Sequence, residues 1–119
     1  MEARENGRFG EDRASEYLRK KGYRIVERNF RCRLGEIDII AENAEYLVFA
    51  EVKTRKNALY GQACEYVTYS KQQKIKRAAM YYLSSRESDK QPRFDVIEVY
   101  IPDGLLGRVR INHIEDAFI

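Results

Sequence analysis

The chain has no tryptophan, one histidine, two prolines and two cysteines among 119 residues. It contains no run of about eighteen apolar residues, the length a membrane-spanning helix needs. The opening Met1-Glu2-Ala3-Arg4-Glu5 is charged where a secretory signal would be apolar. Cys32 and Cys64 lack the spacing of a metal knuckle, and one pair makes no disulfide framework. Both are therefore expected to be reduced thiols in a cytoplasmic protein. No repeat, low-complexity tract or linker interrupts the chain, so residues 1–119 are expected to form a single domain. The lone histidine, His113, stands far from the motifs described below and is given no catalytic part.

What is present is charge. Asp, Glu, Lys and Arg make up 34% of the residues, above the usual quarter, while 44% are hydrophobic, enough for one core. The net charge of +3 decides little about partners. Its distribution is more informative. Arg24, Arg28, Arg31 and Arg33 crowd one segment, Lys53, Arg55 and Lys56 a second, and Lys71, Lys74, Lys76 and Arg77 a third. Each cluster also has the plain reading of a solvated face.

The periodicity gives an order of elements. Ala14, Tyr17 and Leu18 fall at helical spacing within a helix expected over residues 7–21, which Gly22 stops. A strand is expected over 23–30, a turn at Leu34-Gly35, and an isoleucine-rich strand over 36–41. Residues 42–45 read as a hairpin connection. Tyr46 to Arg55 is apolar on both faces at its centre, the mark of a strand covered on both sides. Residues 56–69 show no period, and a loop of that length in a small domain is often functional. Ser70 resembles the N-cap of a second helix carrying Ile75, Ala78, Ala79, Tyr82 and Leu83. There Tyr81 and Tyr82 are read as packing residues. A strand over 93–101 follows, Val109 to Ile111 reads as a short edge strand, and the apolar tail 114–119 is expected to dock. The class is α/β, with a mixed sheet in which the strand after the second helix runs parallel to an earlier one.

Two acids break this apolar pattern. Alternation places Glu36, Asp38 and Ile40 on one face of their strand and Ile37 and Ile39 on the other. It places Phe49, Glu51, Lys53 and Arg55 together on the next strand. A carboxylate within a central strand needs a partner or a raised pKa. Glu11, three residues before Ala14 and seven before Leu18, lies along the apolar stripe of the first helix and is aimed inward. Three carboxylates converging with Lys53 leave uncompensated negative charge. Oxygen ligands without histidine or cysteine suit Mg²⁺ or Mn²⁺, which together with Lys53 points to phosphodiester hydrolysis. Taken singly, each residue also has an ordinary reading: an acid at a strand end, or a surface Glu-x-Lys pair.

Gly35-Glu36-Ile37-Asp38-Ile39-Ile40, followed by Val48-Phe49-Ala50-Glu51-Val52-Lys53-Thr54-Arg55, resembles the YraN-like family of small bacterial proteins. Matching pieces recur at Gly7 to Glu11 with Ala14 and Leu18, at Gly22-Tyr23, Arg28-Asn29, Val67-Thr68 with Lys71, Arg93-Phe94-Asp95-Val96 and Ala117-Phe118. That family in turn looks like the restriction-endonuclease-like PD-(D/E)xK superfamily, near the archaeal Holliday junction resolvases. The resemblance implies a mixed sheet flanked by helices, in keeping with the order α-β-β-β-α-β, with one or two strands at its end, read from the pattern. It matches Asp38 to the motif's aspartate, Glu51 to its second acid, Lys53 to its lysine, and Glu11 to the acid supplied by the first helix. Ile37 stands where the motif has proline. The backbone carbonyl of Val52 is a further metal ligand implied by the likeness.

The expected function is therefore a divalent-metal-dependent endonuclease acting on DNA, including branched or damaged DNA, without a small-molecule cofactor and away from membranes. Arg55, Lys71 and Gln62 are candidates for nucleic-acid contact. Tyr60 and Tyr66 lie in the same unpatterned loop as Gln62. Resemblance to resolvases implies a homodimer, since symmetric cutting of two strands needs two sites. Two other readings stay open: a non-catalytic nucleic-acid-binding module and a protein-interaction adaptor on the same fold.

Overall fold

The computed structural model describes residues 3–55, 67–101 and 108–118. The first helix, α1 (Ala3–Lys20), starts earlier than its periodicity alone marks. Ala14 and Leu18 are fully buried along its inner stripe. It ends in a Schellman motif. The Tyr23 N–H donates to the Leu18 carbonyl (2.9 Å), the Gly22 N–H donates to that of Arg19 (3.0 Å), and Gly22 takes a φ of +100° that glycine tolerates.

Strands β1 (Arg24–Cys32), β2 (Gly35–Glu42) and β3 (Tyr46–Arg55) form an antiparallel meander. Helix α2 (Tyr69–Ser84) then precedes β4 (Gln91–Tyr100), which pairs in parallel with β3 from Tyr46↔Gln91 to Arg55↔Tyr100. The edge strand β5 (Arg110–Ile114) adds a fifth strand antiparallel to β4. The sheet order β1-β2-β3-β4-β5 is mixed, as expected, and the element order is α-β-β-β-α-β-β. With a helix over each face, the arrangement is restriction-endonuclease-like. Among the described residues, no helix is long and apolar enough to cross a membrane.

Burial on both faces of β3 produces two apolar layers. Leu47 and Phe49 pack with Ile75, Ala78, Ala79 and Tyr82 of α2, while Val48 and Ala50 pack with Ala14 and Leu18 of α1. The tail docks as its composition suggests. Phe118 is buried on the α2 side and stacks on Phe94, and the Ala117 N–H donates to the Phe94 carbonyl (2.7 Å).

Two local expectations are corrected. The cap of α2 is Thr68, not Ser70: the Thr68 hydroxyl accepts the Lys71 N–H (3.1 Å) from an extended backbone, while Ser70 already lies in the first turn. Ile37 and Ile39 do not share a face. Ile37 and Ile40 join the α2-side core, whereas Ile39 joins the α1 side. The pleat breaks between them because β2 leaves β3 there. Pairing with β3 stops at Ile39↔Ala50, while pairing with β1 continues to Cys32↔Gly35. On β1, between Arg28 (opposite Ile39) and Phe30 (opposite Ile37), Asn29 takes a φ of +54°.

A polar staple holds β4, β5 and α1 together. Asp95, fully buried, accepts from Arg93 through Nε (2.9 Å) and an Nη (2.8 Å), and from the Asp116 N–H (3.0 Å). Its Oδ2 also lies 2.7 Å from Nε2 of His113, whose Nδ1 stands 3.2 Å from the Tyr17 hydroxyl of α1. Arg93 donates onward to the Tyr23 hydroxyl (2.6 Å). Burial alone would raise the Asp95 carboxyl, but bonds from His113, Arg93 and Asp116 outweigh it and hold it below the usual range. Replacing Asp95 with alanine strands Arg93 in the interior. We expect a loss of about 3–5 kcal/mol in urea unfolding, against no resolvable change for alanine at the exposed Lys20, whose partner is Glu16.

Candidate active site

The site grows from the point where β2 and β3 part. Beyond the Ile39↔Ala50 pair, the Asp38 side chain takes over as acceptor, and its Oδ2 receives the Val52 N–H at 2.8 Å. The carboxylate thus stands in for a ladder carbonyl and is drawn to the far end of β3. Glu51, next to Val52, is only 5% exposed and lies on the same side as Phe49, toward α2. It lies beside Asp38, whose charge acts on it. Among the described residues, two cations face it: Nζ of Lys53 and Nζ of Lys71 each stand 3.6 Å from Glu51 Oε1. Lys71 reaches it from the first turn of α2, the turn that Thr68 caps.

Burial, followed by the neighbouring Asp38 charge, pushes the Glu51 carboxyl up to about 7 despite the pull of Lys71 and Lys53. Asp38 is also raised, chiefly by burial, while the Val52 N–H pulls the other way. Glu11 approaches from α1. Burial and then the Asp38 charge raise it, while an Asn29 hydrogen bond and Arg28 oppose them. Arg28 lies 3.7 Å from Glu11 and 2.8 Å from Asp12.

The predicted residues are thus brought together unequally. Asp38, Glu51 and Lys53 meet, Lys71 joins them, and Glu11 stands at the margin with its own partners. Among the described residues, no three carboxylate, imidazole or thiolate side chains close around one point as a metal cage would. Arg55 shares the expected face but turns to Glu98, 3.8 Å away. Gln62, Tyr60, Tyr66 and Cys64 lie outside the described residues, as does most of the unpatterned loop. Cys32 is a free, half-buried thiol. His113 belongs to the Asp95 staple.

Two open grooves flank the acids and share Arg31. One, of about 430 Å³, runs between the β1–β2 turn and α2 and is lined by Arg31, Arg33, Leu34, Glu36, Lys71 and Lys74 among others. The other, of about 630 Å³, lies on the α1 side and contains Arg8, Glu11, Arg28 and Asn29. Arg28 and Asn29 had no individual signal beyond the arginine cluster and the Arg28-Asn29 match. Their role shows only once β1 is seen to turn toward α1.

A mixed sheet between two helical layers, with an acid pair and a lysine where two strands part, defines a restriction-endonuclease-like domain. The chain belongs to the family described as "Uncharacterised protein family UPF0102", whose model matches residues 10–99, and this is the YraN-like family of the sequence motifs. It is 49% identical over 113 residues to the UPF0102 protein TTE1452 of Caldanaerobacter subterraneus subsp. tengcongensis, covering 94% of this chain and 93% of that one. A UPF0102 protein of Caldicellulosiruptor bescii is 48% identical, with 99% and 100% covered. The UPF0102 protein CD630_12710 of Clostridioides difficile is 45% identical, again with 99% and 100% covered.

The Glu51 carboxyl ties stability to pH. The folded state holds its proton up to about 7, whereas the unfolded chain releases it near 4.5. Between those values the unfolded state binds fewer protons, so stability falls as pH rises through the window and the loss persists above it. Glu51→Gln removes this penalty. In urea titrations it is expected to be more stable than wild type above pH 7 by about 1–3 kcal/mol, with the difference vanishing below pH 4.5.

Proposed function

We propose that this protein is a divalent-metal-dependent nuclease that hydrolyses DNA phosphodiester bonds at Asp38, Glu51 and Lys53. The observation that carries the reading is that, among the described residues, these acids are less fully satisfied than the other buried carboxylates. Asp95 is saturated by Arg93, His113 and the Asp116 amide. Glu98 accepts from Tyr100 and Asn112, each at 2.7 Å. Among the described residues, Asp38 instead accepts one backbone N–H, and Glu51 has two lysines at 3.6 Å. Two adjacent carboxylates that both resist ionising form a site a hard cation would relieve.

Mg²⁺ or Mn²⁺ fits this donor set, since magnesium usually takes one or two carboxylates and keeps several waters. Asp38 and Glu51 would hold the ion, with the Val52 carbonyl as a further donor and Glu11 acting at the margin. When bound, the ion would polarise the phosphoryl group and favour ionisation of water. The chain's own part is positional. Lys53 orients the attacking water and takes up or steers its proton. Lys71, reaching the same Glu51 oxygen from α2, offsets negative charge as it builds on the phosphate. The water oxygen bonds to phosphorus, a P–O ester bond breaks, and the departing oxygen takes a proton.

The test is cleavage of labelled single-stranded, duplex, flap and four-way-junction DNA with Mg²⁺, Mn²⁺ or EDTA. Wild type is expected to cut only with metal, and Lys53→Ala to be slower by about 10²–10³-fold at unchanged stability. Absence of metal-dependent products from folded wild type on every substrate would overturn the proposal.

A further inference from the structure

We infer that a nucleic-acid strand leaving the acid pair lies unpaired in the groove between the β1–β2 turn and α2, its phosphates on Arg33, Lys71 and Lys74 and a base against Leu34. This rests on the nuclease reading and adds to it the strand's path and state.

The first support is charge. Among the described residues, Arg31, Arg33, Lys71 and Lys74 line the groove against a single carboxylate, Glu36, which pairs with Arg31 at 3.4 Å. Arg33 and Lys74 are both exposed. Lys71 and Lys74 are three residues apart on one helical face, a spacing of about 5–6 Å between their Cβ atoms. Lys71 also touches Glu51, so a backbone bound at the acids continues onto Lys74 without a gap in positive charge. Phosphate contacts of this kind position a strand without reading its sequence.

The second support is the turn itself. Leu34 is 40% exposed at its apex, between two arginines and Gly35. The apex is not a loose loop. A Cβ on Gly35 would come within 2.7 Å of the Lys74 carbonyl oxygen, so the turn is seated on the α2 backbone at a distance only glycine allows. A fixed, exposed leucine beside cations is the kind of apolar contact that proteins press against base faces. A paired duplex offers base edges in its grooves and hides the faces in the stack. Reaching a face inside a duplex costs the unstacking of a step, a cost an unpaired or terminal base does not carry, which favours a single-stranded segment over a continuous duplex.

The test is binding in EDTA, which removes cleavage from the readout. A labelled oligothymidylate and a blunt duplex are titrated between about 50 and 200 mM salt. Wild type is expected to favour the single strand. The double variant Arg33→Ala/Lys74→Ala is expected to lower the slope of log affinity against log salt by about 1.4, two contacts at about 0.7 each. Leu34→Ser is expected to weaken single-strand binding about five- to tenfold with the slope unchanged, and Lys20→Ala to alter neither. Circular dichroism checks that each variant is folded. If wild type binds but the double variant keeps its slope, or Leu34→Ser keeps its affinity, the inference falls and the nuclease reading stands. If wild type binds neither DNA, the inference falls and the DNA reading falls with it.

Discussion

The structure turns on one hydrogen bond, from the Val52 amide to the Asp38 carboxylate. Up to Ile39 and Ala50, β2 and β3 form an ordinary antiparallel pair. Past that point the two backbones separate, and an amide that a neighbouring strand would satisfy needs another acceptor. Asp38 supplies it. The same bond keeps a carboxylate within reach of Glu51, fixes where the sheet opens, and lets β1 and β2 continue as a separate ribbon toward the arginine-rich turn. The flanking grooves exist because the sheet is split at this place.

A buried acid is not by itself a reactive one. Four carboxylates, Asp38, Glu51, Asp95 and Glu98, interrupt apolar runs of the central strands in the same way. Asp95 and Glu98 are fully buried, and donors claim their oxygens. Their negative charge is spent on joining β4 to its neighbours. Among the described residues, Asp38 and Glu51 have one backbone N–H, each other and lysines on flexible stems, so their proton affinity is high. The difference lies in donors brought by other elements: Arg93 and His113 on one side, a helix turn and a strand end on the other.

Much of this was legible in the sequence. The doubly apolar β3, the helical spacing of Ala14 and Leu18, and the parallel return after α2 follow from local pattern. So does the pairing of Asp38 with Glu51 and Lys53, because two acids breaking adjacent strands point to a common centre. The break in alternation between Ile37 and Ile39 was not legible. It depends on β2 following β1 rather than β3, a tertiary choice that no residue announces. Asp95 and Glu98 give the same signal in β4 as Glu51 gives in β3, and only their partners tell them apart. The approach of Lys71 to Glu51 depends on how α2 is seated. The capping of α2 by Thr68 instead of Ser70 turns on which hydroxyl the chain presents before the first turn, and both are chemically suitable.

The parallel pairing of β3 with β4 has a kinetic side. Residues 56–90 separate the two strands, whereas α1 and the β1–β3 meander are joined by short connections. Local contacts form before distant ones, because closing a long segment costs chain entropy before any contact rewards it. The meander can therefore assemble while the α2-side face of β3, with Phe49 and Glu51, is still wet. Glu51 loses its water only when α2 and β4 arrive, and Lys71 arrives with them. Any later opening that lifts α2 would rehydrate Glu51, withdraw one of its two cations and return its carboxyl toward ordinary behaviour. The unusual proton affinity of the site is thus a report on whether the last part of the fold to close has stayed closed.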